Sequence, residues 1–426
     1  MREERPAAPP QLAIQLDPEK CTGCLACVRA CPTKAIRVRG GRGLILPHLC
    51  VDCGACVRIC PPGAISARVS TIQDASRFKI KVVLPSPVLY TQFGDEIRPN
   101  DVLLALTKLG FDYVFDQAVF CEWLNLAISD WVDRHPRPVP AISQTCPVVV
   151  RLIAARFPNL IPNIVGLVLP REIGARHIRR VLGKKLGLAP EEIGVFQITP
   201  CPAKAQAIND PLTPAGSQLS GALALDQIYG RILAALKSLT DEDRETMLFK
   251  SGGFGIGWEM SGGEVEGLRH VERTVSVCGL AETIDVLEQI ESGRLAEARY
   301  VECRVCPDGC LGGPFTVADR FRARAALRKL VLMYGAMPRV RPSEIMGLIQ
   351  DGYFESNRAL QPAPPALGPE PLKALANLKL KKSLEALLPG KFCAACGAPD
   401  CAALAEDVVL GQAQLTDCPF FKLSPT

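Results

Sequence analysis

Two cysteine runs of identical spacing constrain this chain more than anything else in it. Cys21-Thr22-Gly23-Cys24-Leu25-Ala26-Cys27 is followed by Cys31-Pro32, and the pattern returns as Cys50-Val51-Asp52-Cys53-Gly54-Ala55-Cys56 with Cys60-Pro61. A close triplet of thiolates wraps one 4Fe-4S cube, and in a duplicated run the fourth cysteine reaches the neighbouring cube. The spacing assigns Cys21, Cys24, Cys27 and Cys60 to one cluster, and Cys50, Cys53, Cys56 and Cys31 to the other. Zinc also accepts four thiolates, but the duplicated spacing, each time closed by Cys-Pro, favours iron. Ala35-Ile36 and Ala64-Ile65 extend the repeat, so residues 15–70 read as a small α+β domain able to pass electrons.

A second group of cysteines lies in single loops: Thr145-Cys146-Pro147, Thr199-Pro200-Cys201-Pro202-Ala203-Lys204, and Cys303-Arg304-Val305-Cys306-Pro307-Asp308-Gly309-Cys310-Leu311-Gly312-Gly313. Each follows an apolar, strand-like run. In an open α/β sheet, turns at strand ends converge on one crevice. Cys146, Cys201, Cys306 and Cys310 suffice for one more cube. Gly309, Gly312 and Gly313 lack a Cβ, which would let backbone approach an inorganic group. From Phe78 strands alternate with helices. Strands are expected over 79–84, 113–115, 139–142, 193–198, 274–277 and 299–301. Helices are expected over 101–110, 118–133, 148–157, 171–186, 223–239, 280–290 and 317–334. Such alternation implies α/β architecture with parallel sheets flanked by helices.

Residues 361–371 are Pro-rich and read as a semi-rigid linker. Beyond it, 372–426 holds a helix over 372–387, then Cys393, Cys396, Cys401 and Cys418, with Asp400 placed to cap a helix from Cys401 to Leu410. Four cysteines here suit a fourth cube or a zinc knot. Cys121 and Cys278 read as core, and Cys303 as packing beside the ligands. His48, His135, His177 and His270 form no i, i+3 or i, i+4 pair and read as surface or loop residues. A net charge of +5 argues against nucleic-acid binding. No apolar run reaches the ~18 residues of a membrane span. The tail 1–14 is Pro/Ala-rich, without a signal-peptide core, so a cytoplasmic and, given oxygen-sensitive thiolates, anaerobic setting is expected.

The first pair of runs resembles bacterial two-cluster ferredoxins. The three later motifs, in a domain expected over 78–345, resemble the iron–iron hydrogenase family in order and local sequence, and the resemblance covers roughly residues 78–335. The resemblance implies a two-lobed catalytic domain and an H-cluster: a 4Fe-4S cube joined to a two-iron subsite carrying CO, cyanide and a dithiolate amine. It makes Cys146, Cys201, Cys306 and Cys310 the ligands, Cys310 the bridge and Lys204 a cyanide contact. It also implies reversible oxidation of H2 to protons and electrons, with ferredoxin or a redox subunit as partner.

The chain departs from the most active relatives where protons are delivered. They carry a cysteine before the first ligand, where this chain has Thr145. They carry glutamates on the preceding helix, where residues 121–133 offer Glu122 and Asp130 and are neutral around Ala127. A methionine near their subsite is replaced by Arg304. Thr145, Gly312-Gly313-Pro314 and the C-terminal cysteines resemble the sensory branch, which implies slow turnover and a separate signalling protein as partner. The other functional class is a non-catalytic iron–sulfur carrier or assembly protein on the same fold, without the two-iron subsite.

Overall fold

The computed structural model describes residues 12–209, 216–268, 270–335, 339–356, 360–363, 367–368 and 370–421. The chain divides into two compact units, one of Met1–Arg68, Ala154–Arg156 and Gln361–Thr426, the other of Val69–Ile153 and Phe157–Leu360.

In the first unit β1 (Ile14–Leu16) pairs antiparallel with β4 (Ile65–Ala67), and β2 (Ile36–Arg39) with β3 (Arg42–Ile45). Each cysteine run turns into a five-residue helix, Ala26–Ala30 or Ala55–Ile59, after a left-handed residue, Leu25 (φ 64) or Gly54 (φ 77). Asp52 is buried, and its carboxylate accepts from Ala13 N (3.0 Å) and Ile14 N (3.2 Å), tying β1 to the second run. The C-terminal cysteine segment packs into this same unit. Arg37 is 3% exposed and donates to Asp407 over 2.6 and 3.0 Å. Arg39 donates to Asp407 and to Cys396 O, both over 2.6 Å. Val38 N donates to Gly397 O over 2.8 Å. Ala394 enters the core formed by Ile14, Cys27, Val28 and Ile36. Helix Cys401–Val409 begins as its sequence suggests, with the Asp400 carboxylate accepting from Ala403 N (2.8 Å). Of the stretch read as a linker, residues 364–366 and 369 lie outside the described residues, as do 1–11 of the tail.

Gly397 shows how close this docking is. It has φ +81, and a Cβ would stand 1.8 Å from Val38 O. Gly397→Ala should cost about 2 kcal/mol through forced repacking. The check is faster hydrogen exchange at Val38 N; unchanged protection would mean that the contact is loose.

The second unit is α/β. One parallel sheet has the order β6 (Tyr113–Val114), β5 (Ile80–Pro85), β8 (Ile193–Thr199), β9 (Gly221–Ala224). The other, also parallel, runs β10 (Thr274–Cys278), β11 (Tyr300–Arg304), β7 (Ala141–Ile142). All seven residues of β8 are buried, as expected of a strand covered on both faces. Helix Pro170–Leu186 lies close on β5 because Gly174 has no side chain; a Cβ there would meet Phe120 at 2.8 Å and Leu84 at 3.0 Å. Helix Gln117–Arg134 starts at Asp116, whose carboxylate accepts from Ala118 N (3.0 Å).

Three expectations need correction. Residues 223–239 are not one helix, since β9 takes Gly221–Ala224 and the helix starts at Leu225. The long helix after Cys310 starts at Arg320, where Asp319 caps it, and not at Val317. His177 is neither surface nor loop; it is half-buried in helix Pro170–Leu186, its ring 4.9 Å from Trp123, and burial lowers its pKa.

Candidate metal centres

The first unit holds two small cavities whose walls sort the cysteines crosswise. One is lined by Cys21, Cys24, Cys27 and Cys60. The other is lined by Cys31, Cys50, Cys53 and Cys56. Each fourth cysteine therefore faces the triplet of the other run. Burial pushes the Cys27 thiol up, and Cys60 and Cys21 add to it. Burial likewise pushes Cys50 up to about 12, reinforced by Asp52, Cys53 and Cys31. Thiols this reluctant to ionise alone need a positive centre to become thiolates. In the C-terminal segment Cys396, Cys401 and Cys418 share one small core, and Cys393 is half-buried beside it. Among the described residues no three Cys, His, Asp or Glu side chains converge on one ion-sized point.

In the second unit three loops leave the carboxyl ends of parallel strands. Cys146 follows β7 and precedes helix Pro147–Arg156. Cys201 follows β8 and precedes helix Pro202–Asn209. Cys306 and Cys310 follow β11. The last two loops are stitched together, as Phe315 N donates to Pro200 O over 3.0 Å. Gly313 serves this stitching, since a Cβ would stand 2.5 Å from Pro200 O, while Gly312 packs within its own loop, where a Cβ would stand 2.2 Å from Pro307 O. At Gly309 (φ +72) a Cβ would stand 2.6 Å from Ser261 N. These glycines thus also answer to neighbouring backbone.

Burial pushes the Cys201 thiol to about 12, with Lys204 opposing and Cys146 and Cys310 adding. For Cys310 burial again raises the pKa, with Lys204 opposing and Glu259, Arg304 and Cys146 also acting on it. Cys146, Cys201 and Cys310 are therefore electrostatic neighbours. Cys146, Cys201, Cys306 and Cys310 all keep some accessible surface, whereas Thr145, Lys204, Glu259 and Arg304 around them are buried. Partly accessible cysteines beside buried polar groups fit a cluster held by thiolates.

Two buried cations face Cys310. Lys204 Nζ lies 3.3 Å from its sulfur and forms an ion pair with Glu259. Glu259 also accepts from the Ser86 hydroxyl. Burial would raise Glu259, but Lys204, Ser86 and Arg304 outweigh it and hold the carboxyl below its usual range. Arg304 Nη1 lies 3.7 Å from the Cys310 sulfur. Its other nitrogens are fixed by Glu302 (2.6 Å), Glu264 (3.2 Å) and Trp258 O (2.8 Å). Burial opposes the charge on Arg304, yet Glu302, Cys310 and Glu264 keep it firmly protonated. Glu302 itself is raised, chiefly by burial. None of Glu259, Glu264 or Glu302 stood out in the sequence, because each lies outside any metal-ligand spacing.

Thr145 is buried, its N–H donates to Ser143 Oγ (3.2 Å), and its own Oγ1 has no partner among the described residues. Glu122 and Asp130 are committed elsewhere. Glu122 accepts from Gly252 N (2.6 Å) and Arg339 N (2.9 Å), and Asp130 pairs with Arg134 (2.6 Å). Cys121 is fully buried beneath the site, within the field of Glu259 and Lys204. Cys303 is buried in β11, and Cys278 is half-buried at the end of β10. No helix among the described residues is long and apolar enough to cross a membrane.

The family model "Iron only hydrogenase large subunit, C-terminal domain" matches residues 79–263 and 233–314. A 4Fe-4S dicluster domain matches residues 13–61, and a small Fe-S cluster family matches 388–420. The chain is 25% identical to the periplasmic [Fe] hydrogenase large subunit of Nitratidesulfovibrio vulgaris over 361 residues, covering 70% of this chain and 85% of the relative. It is 22% identical to the NADP-reducing hydrogenase subunit HndD of Solidesulfovibrio fructosivorans over 360 residues, covering 71% of this chain and 57% of that one. The fold is similar to that of the [FeFe]-hydrogenase HydA1 variant E141A from Chlamydomonas reinhardtii, with TM-score 0.51, 17% identity, and 68% and 96% of the two chains covered. Strand-end cysteine loops on a parallel α/β scaffold, joined to iron–sulfur domains, thus place this chain in the iron-only hydrogenase large-subunit family.

Proposed function

We propose that the protein is a hydrogenase of low turnover, oxidising H2 reversibly and serving a sensory or regulatory role. Its H-cluster would be held by Cys146, Cys201, Cys306 and Cys310, with Cys310 as the shared sulfur. When bound, the two-iron subsite would supply the chemistry at hydrogen. The observation that carries this reading is the Lys204 ammonium 3.3 Å from the Cys310 sulfur. A buried cation on one thiolate of four suits a site that carries extra negative charge. Arg304 adds a second cation, which favours reduced and anionic states. Low turnover follows from Thr145, whose hydroxyl is a far weaker acid than a thiol. Electrons would travel through two ferredoxin-type clusters and a C-terminal 4Fe-4S cluster to a ferredoxin, redox subunit or signalling protein, in the cytoplasm.

Infrared spectroscopy after maturation with the assembly machinery tests this. CO and cyanide stretching bands are the expected result. Their absence from fully matured protein would leave the non-catalytic carrier, a reading favoured by the lack of any acidic partner on Thr145 Oγ1.

The crosswise ligand sets carry their own prediction. Cys31→Ser should remove the cluster of Cys50, Cys53 and Cys56 and spare that of Cys21, Cys24 and Cys27. Iron content and electron paramagnetic resonance would report one lost centre of the pair. Damage at the first triplet instead would mean that each run keeps its own fourth ligand.

A further inference from the structure

We infer that Arg171 is the anchor of a small-anion site in a cavity beside the cysteine loops of the second unit. The cavity holds about 300 Å³; its walls include Val150, Ile161, Val165 and Leu169, and its polar members are Gln144, Arg171, Glu172 and Ser356. Pro147, which follows Cys146, also forms its wall. Arg171 is 4% exposed and stands in the first turn of helix Pro170–Leu186. Its Nε has no partner, and its guanidinium makes no hydrogen bond to any described residue. Glu172 is spent on Ser217 Oγ (2.7 Å) and Gln218 N (2.8 Å).

The contrast with the other two buried cations among the described residues of the second unit is informative. Lys204 has Glu259, and Arg304 has Glu302 and Glu264. Arg171 alone of the three holds no carboxylate. Burial lowers its pKa, while Glu172, Cys201, Glu259 and Cys310 pull the other way, so the cation lies within the field of the cluster cysteines. A buried, unpaired guanidinium is costly, and a bound anion removes that cost. The helix N-terminus adds positive potential at the same end. Water can satisfy Gln144 Oε1, which also lacks a partner, but it cannot balance the charge.

Apolar walls select a compact, weakly hydrated monoanion. Two sources share that chemistry: a cyanide of the two-iron subsite, which rests on the function proposed above, or a free monoanion from solution. The probe for the second is thiocyanate, followed by its infrared stretch, on full-length protein carrying its cubes but not matured with the two-iron subsite. A saturable, displaced band should appear. Arg171→Gln should weaken binding about tenfold or more, as expected on losing a charge-assisted hydrogen bond. Arg171→Lys should retain binding, and Leu169→Phe should block it by filling the cavity. On matured protein, Arg171→Gln should instead displace the cyanide bands if the cofactor is the source. Arg171-dependent thiocyanate binding without cyanide bands after maturation would sink the hydrogenase reading and keep the anion site. Absence of both effects in folded Arg171→Gln and Leu169→Phe proteins overturns the anion site.

Discussion

Arg304→Met should lower the unfolding temperature by about 10 °C, from a loss of about 3–5 kcal/mol on breaking a buried ion pair. Arg304 is 2% exposed, and its carboxylate partners Glu302 and Glu264 are fully buried. Without it, Glu302 keeps only Gly262 N and Val265 N, both at 3.2 Å. Glu264 keeps the Ser143 (2.7 Å) and Tyr300 hydroxyls. Those bonds satisfy lone pairs but leave two negative charges without a cation. At least one carboxyl should then bind a proton on folding, with its native pKa above the unfolded value. Stability from such a group is full at low pH and is lost as pH rises. The variant should therefore be closest to wild type near pH 5 and furthest from it near pH 8. Adding Glu302→Gln should recover part of the loss. The same variant removes a cation 3.7 Å from Cys310, so the potential of the proposed cube should become more negative. An unchanged unfolding temperature would show that the two carboxylates do not depend on the guanidinium.

This network also marks where sequence reading stops. The crosswise grouping of Cys21 to Cys60 around two cavities was legible because the spacing within each triplet is local and the fourth cysteine follows from the repeat. The loops of Cys146, Cys201, Cys306 and Cys310 were legible through strand-like runs that end at them, as β7, β8 and β11 now show. The counter-ions were not. Glu259, Glu264 and Glu302 are single acidic residues in unremarkable surroundings, and a lone glutamate ordinarily reads as solvated. Their burial goes with Arg304, at the end of β11, and Lys204, in helix Pro202–Asn209. β9 was missed for a different reason. Gly221–Ala224 is only four residues, three of them small, leading without a break into the helix from Leu225, so the helical pattern absorbed its second half. A packing contact identifies it: a Cβ on Gly221 would stand 2.7 Å from Phe196. Helix Gly253–Gly257 likewise contains three glycines and carries no propensity signal. It forms because neighbours demand it, with Gly255 packed where a Cβ would lie 2.3 Å from Ala118 O.

Thr145→Cys should raise hydrogen turnover of matured protein by about a hundredfold, the lower end of what a positioned acid contributes. Thr145 Oγ1 is buried and makes no hydrogen bond to any described residue, so its replacement breaks no contact with them. A thiol at the same place is the stronger acid by many pKa units. Its backbone is already held by Ser143 Oγ (3.2 Å), whose hydroxyl donates to Glu264 (2.7 Å). That route ends at a carboxylate occupied by Tyr300 and Arg304, which is why the gain should fall short of the upper range. Removing an orphaned buried hydroxyl should leave stability unchanged or slightly higher. Thr145→Ser is the control, because it keeps the weak acid and should keep the slow rate. The diagnostic reading is the pH profile: only the cysteine variant should acquire a new ionisation together with its faster rate. A rate equal to wild type, with CO and cyanide bands intact, would move the bottleneck from proton supply to the charge that Arg304 places on Cys310.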